Sequence, residues 1–417
     1  MWCRKRIDIG WSDLAAGLFG VVFRYDLKAQ HSAIEKAWPA GERGILSSLS
    51  VRSGWDLLLE SLQLPAGSEV LMSAMTIPDM AAIVRAHNLV PVPLELDPNL
   101  AAPTPETLSQ AITPRSKIVL VAHLFGNRAD LNPLIDVARE HKILFIEDCA
   151  QAYAGTKFLG HPRADVSMFS FGNIKTKTAL GGGVLHLRDR DLLDKMKSRQ
   201  AEYPIQSRGK YFQRLVKYTG LKFLSTYPVF AGFTRLCRLL GVDVNGLLNS
   251  SVRGFAATDG LERFRIQPSA PLLALLARRL RSDGSRRLGR QRELGDRLLE
   301  RIRGQVECPG CGAGYHHYWV FPVLTDRPRE LMDFLREHGF DSTQGESMQI
   351  IERPADSPAI EPQASQSLLE RMVYLPLYPE LSGRALERMA DVVLGFYEQQ
   401  PPAENEQPSE LQKVEGA

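Results

Sequence analysis

The chain has 417 residues, and 44% of them are hydrophobic, so it can bury a large core divided between two or three structural units. Its 51 basic and 48 acidic side chains give a formal net charge of +3, which provides no argument for a nucleic-acid partner. The sequence shows neither a secretory leader pattern nor an uncharged apolar stretch of about 20 residues, and we therefore expect a cytoplasmic protein.

After an N-terminal arm, 1–45, the region 46–200 alternates short apolar runs with helical patterns. The predicted strands are EVLMS, VPVPLEL, KIVLVAH, ILFIED, VSMFSF and GGVLHL. The predicted helices are 55–62, 78–87, 105–112 and 132–141. This alternation predicts an α/β fold with a mostly parallel central sheet, and helices cover both faces because the strands are apolar nearly throughout.

The segment 201–265 differs in composition, since apolar and aromatic residues alternate there with Lys and Arg and acids are almost absent. We interpret it as an amphipathic helical insertion that packs on the main domain or on a second subunit. The alternative is contact of 203–242 with a membrane surface or a lipid-like substrate, since basic residues beside an apolar face suit that role.

The region 266–398 is predicted to contain two linking, arginine-rich helices joined by a turn at SDG, followed by a smaller C-terminal α/β domain. The segment 399–417 is polar and rich in proline, and it is predicted to be a disordered tail.

The five cysteines are odd in number and scattered, which favours reduced thiols over a disulfide framework. Cys308 and Cys311 form the sequence CPGC, and a zinc site would need a second ligand pair such as His316 and His317. Because Pro-Gly is common turn chemistry, we predict no metal site.

Chemically useful side chains follow the strands in the middle of the large domain. Asp148 ends the strand ILFIED, and Ser170 lies at the end of the next one. The following turn carries Lys175, and the glycine run 181–183 permits a tight bend. Because open parallel sheets bind ligands at the carboxyl ends of their strands, we expect these groups around one crevice.

A lysine amine and a carboxylate are the groups that pyridoxal phosphate (PLP) chemistry needs. The amine of Lys175 would hold the aldehyde as a Schiff base, and Asp148 would keep the pyridine nitrogen protonated so that the ring accepts electrons. Lys175 would also carry the proton between the substrate Cα and the cofactor's C4′.

Several motifs together resemble the DegT/DnrJ/EryC1/StrS family of fold type I PLP enzymes, best known as sugar aminotransferases, over roughly residues 45 to 395. The motifs are SG at Ser53 and Gly54, ITPRSK followed by VAHLFG, IEDCAQA, SFGNIK and YLPLYPELS. The resemblance implies a fold type I transferase whose large domain binds PLP, with a smaller C-terminal domain.

The resemblance also implies a role for individual residues. Asp148 would face the pyridine nitrogen, Gln151 would lie near the 3-hydroxyl, and Lys175 would bind the aldehyde. Ser170 would bind the phosphate together with Gly54 and Trp55 at the start of their helix, where N–H groups and the helix dipole attract anions. His123 corresponds to a family histidine close to the cofactor.

The sequence departs from the family pattern at several places. Trp55 stands where the family has Thr, and Ile77 stands where an aromatic residue would stack on the ring. The acidic residue common before the last glycines is absent from TALGGG. The element that lends a partner subunit's Asn to the phosphate corresponds to Arg263, Phe264 and Arg265.

Simpler interpretations remain open for four of these residues. Asp148 could cap a following helix, Ser170 could bond only to nearby backbone, and His123 could be a hydrogen-bonded core residue. Lys177 is the alternative to Lys175 as the reactive lysine.

The resemblance implies an aminotransferase that moves an amino group from an amino acid, with glutamate expected, to a keto group of a nucleotide-linked sugar. A homodimer is expected, because a second subunit completes the active site in this family. The alternatives are a PLP aminotransferase for a lipid-linked or other apolar keto substrate and a non-catalytic, regulatory relative.

Overall fold

The computed structural model describes residues 1–39, 41–240, 260–345 and 347–399. The α-helices, numbered in chain order, are α1 (Trp11–Val22), α2 (Leu27–Ala37), α3 (Val51–Leu62), α4 (Pro78–Ala86), α5 (Pro105–Ala111), α6 (Asn132–Glu140), α7 (Arg190–Ala201), α8 (Arg208–Leu224), α9 (Tyr227–Leu239), α10 (Ala270–Arg281), α11 (Ser285–Ile302), α12 (Pro328–Glu337), α13 (Gln363–Arg371) and α14 (Gly383–Glu398).

The strands, also in chain order, are β1 (Gly44–Ser48), β2 (Glu69–Ser73), β3 (Met75–Thr76), β4 (Val90–Leu94), β5 (Leu96–Asp97), β6 (Ala102–Pro103), β7 (Ser116–Ala122), β8 (Asn127–Arg128), β9 (Leu144–Asp148), β10 (Val166–Ser170), β11 (Gly183–Leu187), β12 (Tyr315–His316), β13 (Phe321–Leu324), β14 (Thr343–Gln344), β15 (Gln349–Ile350) and β16 (Met372–Leu375).

A seven-stranded sheet in the order β1-β11-β10-β9-β7-β2-β4 forms the centre of the large domain. Its pairs from β10 to β4 are parallel, and β11 runs antiparallel to both β1 and β10. The predicted α/β fold with a mostly parallel sheet is therefore confirmed, and it is the fold type I architecture.

Alternating side chains of the central strands bury two different cores, as the two-residue period of a strand requires. In β2, Val70 and Met72 pack on the face that also holds Trp55 of α3, whereas Leu71 packs on the other face against Leu134 of α6. Helices on both faces thus exclude water from the sheet, and only its edge is left for ligands.

Each predicted strand of the large domain is present. The four predicted helices are also present, but one of them begins earlier than predicted: α3 starts at Val51, with the hydroxyl of Ser50 accepting a hydrogen bond from the Ser53 amide. Strand β1, GILSS, was not predicted, because its short run of apolar residues ends in two serines.

The predicted linking helices are α10 and α11, separated at Ser282 to Gly284. Helix α11 packs beside α14, and two of its arginines pair with acids of that helix: Arg297 with Glu387 at 2.6 Å and Arg301 with Asp391 at 2.8 Å. The three-stranded sheet β13-β16-β14 and helix α12 complete a smaller C-terminal unit.

The part of the predicted insertion that the structure describes is helical, as expected. Helix α8 packs against α1 and α10, and the hydroxyl of Tyr211 donates a 2.8 Å hydrogen bond to the carbonyl of Ala179. Within the described residues no helix is long and apolar enough to cross a bilayer. The predicted disordered tail lies outside the described residues from 400 onward.

Candidate active site

The carboxyl edge of the central sheet brings Asp148 and Ser170 together. Strands β9 and β10 are parallel neighbours, with Asp148 opposite Met168 and Ser170 two residues further along. The loop from Phe171 to Gly182 then bends back over this edge and carries Lys175. The fold thus brings the predicted carboxylate, hydroxyl and amine to one place.

Lys175 and Asp148 share an electrostatic environment. Burial lowers the pKa of Lys175 to about 8, although the charge of Asp148 opposes the shift, and Arg52 lowers it further. Burial raises the pKa of Asp148, and a hydrogen bond from the Ala150 amide to its Oδ1 at 2.9 Å and the charge of Lys175 oppose that shift. The hydrogen bond from Ala150 occupies one oxygen of the Asp148 carboxylate. No helix begins directly after Asp148, so this residue does not cap one.

The alternative lysine lies apart from this crevice. The amide of Lys177 donates to Asp8 at 2.8 Å, and its Nζ donates to the carbonyl of Ser282. Lys175, by contrast, has its Nζ 4.2 Å from the ring centroid of Trp319, which lines the same pocket. The geometry favours Lys175 as the reactive amine.

The N-terminus of α3 lies beside Ser170. Ser170 pairs with Gly183 across β10 and β11, and a Cβ on Gly183 would lie 2.7 Å from the backbone nitrogen of Val51. The absence of a side chain at Gly183 therefore lets the helix start approach the strand end. The first amides of a helix, here those of Val51 and Arg52, have no acceptor within the helix and can bind an anion.

The predicted helix start at Gly54 and Trp55 is wrong, because α3 begins at Val51. The amide of Gly54 already donates to the carbonyl of Ser50 at 3.0 Å. The Trp55 side chain is fully buried, and its indole nitrogen donates to the carbonyl of Met80 at 3.2 Å. Gly54 instead allows close packing, since a Cβ there would lie 2.2 Å from Leu185 Cδ1.

Arg52 is a candidate site residue that the sequence did not indicate. It is the second residue of α3, its guanidinium pairs with Asp79, and its charge acts on Lys175. Arg263 also pairs with Asp79, at 2.8 Å, so that one carboxylate holds two cations beside the helix start. The signal was present in SVRSG, but it is visible only once the helix start is placed at Ser50.

Gln151 follows Asp148 in the turn after β9. Its Oε1 accepts a 2.8 Å hydrogen bond from the amide of Phe125, which leaves the side-chain NH₂ group as a donor. This orientation suits the predicted contact with a hydroxyl or phenolate oxygen.

His123 has its side chain in a buried network behind the strand edge. Its Nε2 hydrogen-bonds Glu147 Oε1 at 2.8 Å, and Glu147 also accepts bonds from Ser167 Oγ and the amide of His161. Side chains alternate along β9, so Glu147 lies on the opposite face from Asp148. The other ring nitrogen of His123 has no hydrogen-bond partner in the described part of the chain, and its role near a cofactor stays a prediction.

A pocket beside Lys175 is lined by residues from distant segments. Trp319 and His317 come from the loop after β12, and Lys5 and Asp8 come from the N-terminal arm. His317 is 1% exposed, neither ring nitrogen has a hydrogen-bond partner within the described residues, and burial lowers its pKa to about 3. It is therefore a neutral hydrogen-bonding group at the wall of the pocket.

Among the described residues, one group has the spacing of metal ligands: His123, Glu147 and Cys149, all buried. The hypothetical set of Cys308, Cys311, His316 and His317 does not come together as such a group in the described structure. Cys308 and Cys311 are free thiols.

Comparison with known proteins shows a family similarity in the large domain. Residues 41–223 match the model of the DegT/DnrJ/EryC1/StrS aminotransferase family. Over these residues the chain is similar to that family. The match covers every strand of the central sheet together with Asp148, Ser170 and Lys175.

Curated relatives align with a limited part of the chain. The L-glutamine:2-deoxy-scyllo-inosose aminotransferase of Streptomyces kanamyceticus is 38% identical over 125 residues, 29% of each chain. The GDP-perosamine synthase of Caulobacter vibrioides is 36% identical over 110 residues, 26% of this chain and 29% of that protein. The chain thus covers less than a third of the length of these relatives.

Solved structures of aminotransferases match the fold over nearly the whole chain. Helicobacter pylori PseC, an aminotransferase of pseudoaminic acid biosynthesis, has a TM-score of 0.69 and 13% identity, with 95% of this chain and 99% of that chain covered. Bacillus subtilis NtdA with bound cofactor PMP has a TM-score of 0.67 and 18% identity, with 94% and 83% covered.

The chemistry of the site residues fits PLP. Because Gly183 has no side chain, the first amides of α3 lie next to Ser170. A phosphate needs such hydrogen-bond donors. Asp148 has one oxygen bonded to the Ala150 amide, so the other can accept a pyridinium N–H. Lys175 is an amine of lowered pKa in reach of the same crevice, as capture of an aldehyde requires.

Proposed function

We propose that the protein is a PLP-dependent aminotransferase that moves an amino group from an amino acid to the keto group of a sugar. The observation that carries the proposal is that Asp148 and Ser170 end neighbouring strands at one sheet edge, with Lys175 on the loop that follows, beside a helix N-terminus that can bind phosphate. The similarity of residues 41–223 to an aminotransferase family supports it.

Bound PLP would supply an aldehyde for the amino group and a ring that draws electrons away from the substrate carbon. Asp148 would keep the pyridine nitrogen protonated. Its buried carboxylate would accept a hydrogen bond from the N–H of the pyridinium ring. Lys175, with a pKa of about 8, can accept and return a proton near neutral pH, which suits transfer between the substrate Cα and C4′.

The phosphate would be held by the amides of Val51 and Arg52, the hydroxyl of Ser170 and the guanidinium of Arg52. Gln151 would donate to the 3-oxygen of the ring. Ile77 and Trp319 are the apolar groups that we assign to the walls around the ring, in place of a stacking aromatic after Thr76.

The substrate class is inferred from relatives. The names of two of them refer to an inosose and to GDP-perosamine, and one refers to L-glutamine. We propose a cyclic keto sugar, nucleotide-linked as the family resemblance implies, as the acceptor. Glutamate, the predicted donor, and glutamine are to be compared directly.

The test is a spectral titration of PLP-loaded protein. Glutamate or glutamine should convert the bound PLP to its amino form, with loss of the visible absorbance band, and a keto sugar should restore the band. Lys175→Ala should bind PLP without this response, whereas Lys177→Ala should respond like the wild type. A colourless protein that ignores PLP would favour a binding or regulatory role.

We also propose that the protein is a cytoplasmic homodimer. The family element that contacts a partner subunit corresponds to residues 263–265. In this chain Arg265 pairs with Asp56 at 3.1 Å and Arg263 pairs with Asp79, so these ion pairs fix the position of the element. Light scattering should give twice the chain mass, and a monomer that is fully active would contradict the proposal.

A second candidate function is amino transfer to a lipid-linked or other apolar keto substrate at a membrane. Helices α1 and α8 lie antiparallel, with Trp11 beside Lys222 and Val21 bonded to Arg208. We name their outward apolar side chains the α1/α8 surface: Trp11, Ala15, Phe19, Val22, Phe212, Val216 and Phe223. The residues of each set are three, four or seven positions apart, which places them on one face of their helix.

Charge favours an anionic lipid surface over a second copy of the chain as the occupant. Helices α8 and α9 contain no acidic residue, and Lys210, Lys217 and Arg235 are exposed there. A two-fold interface would place these cations against one another, whereas anionic headgroups would neutralise them.

Vesicle flotation tests this candidate. The wild type should float with vesicles of phosphatidylglycerol and phosphatidylcholine but less with phosphatidylcholine alone. Phe212→Ser with Phe223→Ser should remove the binding, and Ile360→Ser, at an exposed site elsewhere, should not. If the double variant instead turns a dimer into a monomer, the surface is a subunit interface and the lipid candidate is wrong.

A further inference from the structure

The N-terminal arm runs across the boundary between the two units and reaches the pocket beside Lys175. Trp2 forms a bridge with Phe340, and Arg4 binds the carboxylate of Asp341 through two nitrogens, each at 2.8 Å. The next residue, Lys5, is thereby directed into the pocket.

Lys5 and Lys175 approach the same indole ring. The Nζ of Lys5 is 4.4 Å from the ring centroid of Trp319, and the Nζ of Lys175 is 4.2 Å from it. The ammonium of Lys5 also donates to the carbonyl of Trp319. An ammonium has three donors, so two remain for a ligand.

The arginines that line this pocket already have carboxylate partners. Arg287 pairs with Asp8 at 2.9 Å and with Glu380 at 2.6 Å, and Arg6 lies 3.9 Å from Glu380. Lys5 makes no ion pair with a carboxylate of the described residues. It is therefore a cation without a carboxylate partner among the described residues, which an anionic ligand entering the pocket beside Lys175 would meet.

We propose that Lys5 binds the α-carboxylate of the amino donor. The inference rests on the proposed function, because it assumes that an amino acid reacts beside Lys175. An α-carboxylate is bonded to the reacting Cα, so it must lie near the catalytic amine, as Lys5 does. The diphosphate of a nucleotide sugar lies beyond the sugar ring and would contact more distant residues.

The charge of Lys5 makes this binding dependent on pH. Burial lowers its pKa to about 7, Lys175 and Arg287 lower it further, and Asp8 opposes them. Only the ammonium form attracts a carboxylate, so donor affinity should fall as pH rises through this range. An arginine at the same position would stay charged and would remove this part of the pH dependence.

The test compares Lys5→Met, Lys5→Arg and Lys117→Met, the last at an exposed lysine near the opposite end of β7 from the site. In PLP-loaded protein, Lys5→Met should raise the calorimetric dissociation constant of glutarate, a dicarboxylate that cannot react, by about 10- to 100-fold. Lys5→Arg should stay within about threefold of the wild type, and Lys117→Met should not change.

The half-reactions then identify which group of the donor is bound. Lys5→Met should lower kcat/KM for glutamate through KM, and it should leave the reaction with 4-aminobutanoate, which lacks an α-carboxylate, unchanged. Unaltered glutamate kinetics, or an equal loss with the keto acceptor, would overturn the proposal. A wild type that binds glutarate through Lys5 but never responds to an amino acid would contradict the proposed function alone.

Discussion

Glu147 and Asp148 are adjacent in β9, yet they have opposite acid–base properties. Burial alone would raise the pKa of Glu147, but the hydrogen bond and charge of His123, with bonds from His161 and Ser167, lower it to about 2. Asp148 has fewer donors, and burial raises its pKa. One carboxylate thus stabilises the sheet edge in its ionised form, and the other is able to share a proton.

Replacement of Glu147 by Gln should remove a pH-dependent part of stability. A carboxylate whose pKa is lower in the folded protein than in the unfolded chain stabilises the fold at pH values above the pKa of the unfolded chain. For Glu147 this contribution is lost as pH falls from about 4.5 to about 2. The loss is at most about 3 kcal/mol. Urea unfolding at several pH values measures it, with Glu140→Gln, at an exposed site, as the control.

In Glu147→Gln the unfolding free energy should fall less steeply below pH 4.5 than in the wild type. Equal slopes in the two proteins would show that Glu147 is not held in its ionised form.

At the residue scale, the sequence could indicate groups that lie within one continuous motif. Asp148, Gln151, Ser170 and Lys175 belong to two neighbouring strand ends, whose meeting at one sheet edge follows from parallel topology. Lys5, His317 and Trp319 come from segments that meet only after the arm and the small domain have folded. No local pattern predicts that meeting.

At the element scale, the helix start at α3 is where the sequence interpretation failed. Both Ser50 and Ser53 can cap a helix, and the interpretation placed the helix start after Ser53, at Gly54 and Trp55. The structure needs that glycine for packing against β11. The strands were predictable because continuous apolar runs are typical of sheets buried on both faces.

Alanine at Gly54 or Gly183 should therefore be destabilising by about 1–3 kcal/mol, because the added Cβ overlaps Leu185 or the backbone of Val51. Gly183→Ala should also weaken PLP binding, since it moves the α3 amides away from Ser170. Denaturant unfolding and PLP titration measure the two effects.

The matched control is Gly209→Ala in α8, where a Cβ would meet nothing within 4 Å. It should leave stability equal or slightly higher, because alanine favours helix formation. A stable Gly183→Ala protein with unchanged PLP affinity would contradict the assigned phosphate site.

At the scale of the whole molecule, the N-terminal arm connects the large domain, the small domain and the pocket. Arg4→Ala should lower stability by about 1–3 kcal/mol, since it leaves Asp341, a mostly buried carboxylate, without its bidentate partner. It should also weaken glutamate binding, though less than Lys5→Met does.

The control for Arg4 is Arg336→Ala, which removes an exposed pair with Asp333 that is worth little. If Arg4→Ala leaves both stability and glutamate affinity unchanged, the arm does not position Lys5.

The central claim is that the amine of Lys175 reacts with PLP opposite Asp148. Borohydride reduction of the PLP-loaded protein, followed by peptide mass spectrometry, locates the reactive lysine directly. The account predicts one phosphopyridoxyl group, on Lys175, and none in Lys175→Ala. A label on Lys177 or Lys5, or no label on any lysine, would contradict it.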